Sequence, residues 1–133
     1  DQRNAASAGA TWDVGPWSLA AVATLHSGWP ATSLSLQTVT DSSGVARTVA
    51  VAGPRNAERL GPMRRLDLRA SRQFMPKHGT VRFFAELTNA TDRANPCCLA
   101  YDATTLPNGA IALERSEIHT LPLTGNIGLL WEF

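Results

Sequence analysis

Along residues 64–74, RRLDLRASRQF, the chain changes character at every step. Leu66, Leu68, Ala70 and Phe74 share one parity; Arg65, Asp67, Arg69, Ser71 and Gln73 share the other. A period of two marks a strand with two unlike faces. The pattern returns in 80–89, TVRFFAELTN, with Val81, Phe83, Ala85 and Leu87 set against Arg82, Phe84, Glu86 and Thr88. It returns again in 17–26, WSLAAVATLH, where Trp17, Leu19, Ala21, Ala23 and Leu25 alternate with Ser18, Ala20, Val22, Thr24 and His26. The final residues place Ile127, Leu129, Trp131 and Phe133 opposite Asn126, Gly128, Leu130 and Glu132. A fainter segment, 4–12, ends in Trp12. No window sustains the apolar spacing of an amphipathic helix, and Gly, Pro, Ser and Thr interrupt nearly all of them. The pattern predicts an all-β, antiparallel chain of five long strands, at 4–12, 17–26, 64–74, 80–89 and 122–133. A further hairpin is expected from 34–40 and 45–51, around Ser43-Gly44.

The connections alternate in length. Turns at 13–16 and 75–79 are short, whereas 27–62 and 90–121 are long. Loops beyond ~12–15 residues are uncommon in compact soluble domains. Short turns on one side and long loops on the other are the plan of an outer-membrane β-barrel, with the turns periplasmic and the loops extracellular. That plan expects an aromatic girdle at the turn end. Trp12, Trp17, Phe74, Trp131 and Phe133 all fall there. A strand of twelve residues, rising ~3.3 Å each and tilted ~45°, spans roughly 28 Å, close to the ~25 Å apolar band. Arg65, Asp67, Arg69, Arg82 and Glu86 then line the lumen. Arg72 falls on the lipid parity, near the turn end, where an arginine costs about 0–1 kcal/mol and can snorkel. Five strands are too few to close, because barrels of this kind need at least eight. The expectation is a transmembrane barrel sector belonging to a larger barrel.

Composition narrows the classes. The 133 residues carry a formal net charge of +1, and no basic run suggests nucleic-acid binding. Charged residues make up 17 %, below the roughly 25 % usual for soluble domains. No run approaches the ~18 apolar residues of a membrane-spanning helix. The opening DQRNAASAG lacks the plan of a secretory signal, so the chain is expected to follow a processing site or to be the tail of a longer protein. Aromatics are sparse, at 7 %.

Candidate chemistry is thin. His26, His78 and His119 are dispersed, and no Ser-His-Asp order, phosphate loop or paired carboxylates appear. Neither an enzyme, a cofactor nor a metal site is expected. Adjacent Cys97 and Cys98 make no zinc pattern. On an extracellular loop they can form a vicinal disulfide, pair separately or remain thiols. Arg55, Asn56 and Arg59 in the first long loop can contact a ligand, hold lipopolysaccharide phosphates or fold the loop.

The octet Asn126-Ile127-Gly128-Leu129-Leu130-Trp131-Glu132-Phe133 resembles the outer-membrane β-signal: polar, any, Gly, two of any kind, aromatic, any, aromatic. RLGPMRRLDLRASRQF followed by GTVRFFAELTNATDRAN resembles the late barrel strands of TonB-dependent outer-membrane receptors, as does WSLAAVATLHSGWPAT. The resemblance spans nearly the whole chain, residues 1–133. It implies the carboxy-terminal quarter of a 22-stranded barrel in the bacterial outer membrane. The parent would import a ferric siderophore or another large, scarce nutrient, and this segment would not suffice for transport alone. The plug domain and the TonB-contacting segment have no counterpart in the chain. Implied partners are lipopolysaccharide, the rest of the barrel and its plug, the energy-coupling TonB complex, and the barrel-assembly machinery. Asn126, Gly128, Trp131 and Phe133 would be read by that machinery, with Gly128 leaving room for an approaching backbone. The wall from Arg65 to Glu86 would contact anionic iron chelates, or form a polar ladder paired across strands and against the plug. Two other readings remain: a passive pore or adhesin barrel, and a soluble β-sandwich binding module.

Overall fold

The computed structural model describes residues 3–133; Asp1 and Gln2, the first residues of the expected segment, lie outside them. Eleven strands form among the described residues: β1 (Ala5–Val14), β2 (Trp17–His26), β3 (Pro30–Ala31), β4 (Leu34–Thr40), β5 (Ala46–Ala52), β6 (Glu58–Arg59), β7 (Met63–Phe74), β8 (Thr80–Thr88), β9 (Pro96–Thr105), β10 (Ile111–His119) and β11 (Thr124–Glu132). Five of them build one antiparallel sheet in the order β1-β2-β7-β8-β11. These are the five long strands that alternation predicts. The sheet is open, with β1 and β11 as its edges, and no barrel closes among the described residues.

Register decides whether five separate alternations add up to one surface, because a slip of one residue would exchange the faces of a strand. Trp12 pairs with Leu19, Leu19 with Ala70, Ala70 with Ala85 and Ala85 with Ile127. Every strand therefore presents its apolar set to the same side. One row further toward the short turns, Val14, Trp17, Arg72, Phe83 and Leu129 follow in line. Serines, threonines and charged side chains occupy the opposite side, interrupted by Val22, Phe84 and Leu130.

Both turns sit at one end of the sheet. Val14 pairs with Trp17, so the first connection is only Gly15-Pro16, shorter than the expected 13–16, because β1 continues two residues past Trp12. The second runs from Met75 to Gly79 and ends tightly. Gly79 has a φ of 100°, and a Cβ there would lie 2.1 Å from the carbonyl oxygen of Glu132. Only glycine meets both conditions.

The long connections are folded. In 27–62, β4 and β5 form the expected hairpin, and β3 pairs with β6 beneath it. The segment 90–121, expected as a loop, contains a second hairpin of β9 and β10. It turns at Leu106–Ala110, where Asn108 Oδ1 accepts the Ala110 amide at 3.0 Å. Pro107-Asn108-Gly109 is the turn signal, and weak alternation on either side hid the strands.

The apolar face is not covered. Among the described residues the buried hydrophobic side chains are Leu60 and Met63, both at the loop end, while Ile127 is 74 % exposed and Leu129 66 %. The solvent-accessible area is 9497 Å², against roughly 6,800 Å² for a compact monomer of this size.

Candidate functional site

On the polar face, β7 and β8 bring the predicted wall together. Arg69 and Glu86 are directly paired across the strands, with Nη1 and Oε1 3.0 Å apart. Glu86 also accepts Asn126 Nδ2 at 3.2 Å, which extends the row to β11. Arg65 does not follow the expected cross-strand ladder; its Nε meets Asp67 Oδ2 at 2.9 Å along the same strand. Asp67 in turn accepts the Asn89 amide at 3.0 Å. Arg82, paired in register with Gln73 and Leu130, has no ion-pair partner among the described residues. It lines an open hollow of about 460 Å³ at the turn end with Asp13, Ser71 and Gln73.

Phe84 is the one aromatic on this face within the sheet, and it accounts for Gly128. The two are register partners, and a Cβ on Gly128 would come within 2.3 Å of the Phe84 ring. A side chain, not the backbone expected, fills the space above the glycine. Such a ring over a strand glycine restores packing that the missing side chain leaves empty. Arg69 caps the other side of the ring, its Cζ 5.0 Å from the centroid. Asn126, Gly128, Phe84, Arg69 and Glu86 thus form one connected patch, joining the terminal strand to the wall.

Trp12, Trp17, Phe74 and Trp131 lie on the apolar side at the turn end, and Phe133 follows the last residue of β11 at the same end. Trp131 and Phe133 meet edge to face at 5.7 Å. Arg72 sits among them. Its Cζ lies 5.3 Å from the Trp17 centroid and 4.8 Å from that of Phe74. The register places Arg72 between Trp17 on β2 and Phe83 on β8. The stacked rings account for a cation on an apolar surface better than snorkelling alone. Above them, Ala21, Ala70 and Ala85 floor a shallow hollow of about 630 Å³, rimmed by Trp12, Leu19, Leu68 and Leu87.

At the loop end a polar knot holds the strands. Asn89, fully buried with φ 53°, donates through Nδ2 to the carbonyls of Arg93 (3.0 Å) and Leu121 (3.2 Å), and its Oδ1 accepts the Arg93 amide at 3.3 Å. Asn95, equally buried, accepts the Arg64 amide at 2.8 Å, and Asp92 accepts that of Leu123 at 2.9 Å. These residues lie within the receptor-like stretch, yet the sequence alone assigned them no role. Asparagine and aspartate just beyond a strand, where a left-handed residue is needed, are the signal that could have found them.

In the first long loop, Asn56 and Arg59 fold the chain. The Asn56 amide donates to Thr32 Oγ1 at 2.9 Å, and Arg59 Nη1 to the Gly28 carbonyl at 3.2 Å. Arg55 is exposed. Glu58 reaches Arg115 on β10 at 2.9 Å, tying the two long segments together. At the tip of the β4–β5 hairpin, Asp41 accepts Ser43 Oγ at 2.5 Å and the Val45 amide at 3.0 Å. Those bonds, the Ser43 hydroxyl first, hold its carboxyl below the usual range. Cys97 and Cys98 are free thiols with their sulfurs 2.7 Å apart. The hydrogen bond from Cys98, followed by partial desolvation, pushes the Cys97 thiol above its ordinary value. His26 contacts Met63 Sδ at 2.7 Å and stacks on Trp29 at 5.0 Å, a packing role.

No family model, curated protein or solved structure matches the chain.

Proposed function

We propose that this chain is the carboxy-terminal barrel sector of a TonB-dependent outer-membrane receptor that imports a ferric siderophore or another large, scarce solute. The observation that carries the reading is the single apolar face, in register across five strands and left bare by the other described residues. In water, a surface of this kind far exceeds the few hundred Å² that monomers normally expose. Facing hydrocarbon, it needs no cover, and the polar side becomes the lumen. The aromatic row at one end and the folded long segments at the other fit the same orientation. Unpaired edges on β1 and β11 would be satisfied by the remaining strands of the parent barrel, since lipid offers no hydrogen bonds to an open edge. The patch around Gly128 and Phe84 joins β8 to the strand that resembles the β-signal. The resemblance of 59–74 and 79–95 to late receptor strands favours this family over other barrels.

The test is made on the intact gene product containing this chain. Its removal should abolish uptake of a radiolabelled ferric chelate under iron limitation, and uptake should stop when the proton-motive force is collapsed. Conductance that persists without that force would favour a passive pore. A protein that stays monomeric in water without detergent would overturn the membrane reading altogether.

A further inference from the structure

Arg72 is the feature that a plain lipid-facing wall does not require. It belongs to the apolar side, where no carboxylate pairs with it among the described residues: those near the turn end, Asp13 and Glu132, have the opposite parity in β1 and β11. The faces of Trp17 and Phe74 hold the guanidinium plane, and its Nε is shut off from solvent with no acceptor. No other hydrogen bond or ion pair reaches the group among the described residues. Ring faces satisfy the charge in part but accept none of the five N–H donors. In a lipid interface such donors are costly unless an acceptor arrives. Two residues along the same strand, Ala70 helps floor the apolar hollow of about 630 Å³. A fixed cation and an adjoining apolar trough therefore stand in line along β7.

We propose that Arg72, Trp17 and Phe74 form a site for one phospholipid of the inner leaflet, with its phosphate on the guanidinium and an acyl chain along the Ala21–Ala70–Ala85 trough. The proposal rests on the lipid-facing reading of this side. Guanidinium matches phosphate in a two-pronged geometry that ammonium cannot reproduce, and the two rings preset its orientation. The anchor would fix the depth of the turn end in the membrane.

The experiment uses the intact gene product, purified in detergent and incorporated into nanodiscs of phosphatidylglycerol or of an uncharged glycosyl diacylglycerol. Native mass spectrometry counts the lipids retained on ejection. One phosphatidylglycerol should remain bound to the wild type. Retention should fall about tenfold in Arg72→Gln, consistent with loss of a charge-assisted pair, and only partly in Arg72→Lys. Ala85→Leu, which fills the trough without touching the charge, should also lower it. Equal retention in wild type and Arg72→Gln overturns the proposal, as does equal retention of the glycolipid. Displacement by inorganic phosphate alone would assign the site to a free anion and overturn it too. Brominated lipids report separately on the membrane reading. Quenching of tryptophan fluorescence with unchanged lipid retention sinks only the anchor, whereas absence of quenching sinks both.

Discussion

Gly128 shows how little room a single position can have. The Phe84 ring lies where its Cβ would be, so any larger residue must displace a side chain already stacked beneath Arg69. Gly128→Ala should destabilise the β8–β11 pair by about 1–3 kcal/mol, the usual cost of overpacking. Phe84→Leu in the same chain should recover most of the loss, because the ring is the obstacle. Urea unfolding midpoints of the single and double variants in lipid vesicles check this; equal loss in both would mean that the ring is not responsible. Arg72 carries a related lesson. Parity marked it as out of place, and the reason it is tolerated lies in two rings, that of Phe74 two residues along the same strand and that of Trp17, which only folding brings beside it.

Among the elements, four strands of the sheet were legible because each alternates strongly and is bounded by turn residues, and the fainter β1 was legible from Trp12 and the short turn that follows it. The hairpin of β9 and β10 was not. Its strands, PCCLAYDATT and IALERSEIH, mix polar and apolar residues on both parities, since neither side meets a uniform environment. What fastens this hairpin to the sheet is the polar knot. Asn89→Ala removes the group that joins Arg93 and Leu121, and each part-buried hydrogen bond lost should cost about 0.5–1.5 kcal/mol. Hydrogen exchange should quicken at 90–95 and 121–123 while the middle of β7 and β8 remains protected. Uniform acceleration across the sheet would instead give Asn89 a global role. The Arg69–Glu86 pair should matter far less, since both side chains are substantially exposed, at 50 % and 33 %, and such pairs contribute roughly 0.2–1 kcal/mol.

For the molecule as a whole, the difference between the two sides of the sheet is the property to probe, and adjacent residues of β2 do so most directly. Ala21 lies mid-strand on the apolar side, and Val22 lies beside it on the other. Ala21→Lys should cost about 2–4 kcal/mol if that side faces the bilayer midplane. Val22→Lys should be nearly neutral, because it would enter a polar, solvated surface. The amount of intact gene product assembled in the outer membrane, and its unfolding midpoint in vesicles, measure both. Equal tolerance of the two lysines would remove the argument for lipid contact. A sandwich layer would have its apolar side shielded by a second sheet, and among the described residues no other element packs on this side.

Alternation alone specified the all-β class, the five long strands and the face to which each side chain belongs, because a period of two is a local property of the backbone. The pattern also marked the aromatics, the charged wall and the odd arginine, since each is identified by parity and distance from a turn. Folding decided what depends on partners far apart in the chain. It set the register that merges five alternations into one surface, and it placed Phe84 over Gly128 and Arg72 between Trp17 and Phe74. It also set the knot of Asn89, Asn95 and Asp92 beneath the second hairpin. These contacts join residues up to 55 positions apart, and no local pattern encodes which distant side chain will arrive at a given place.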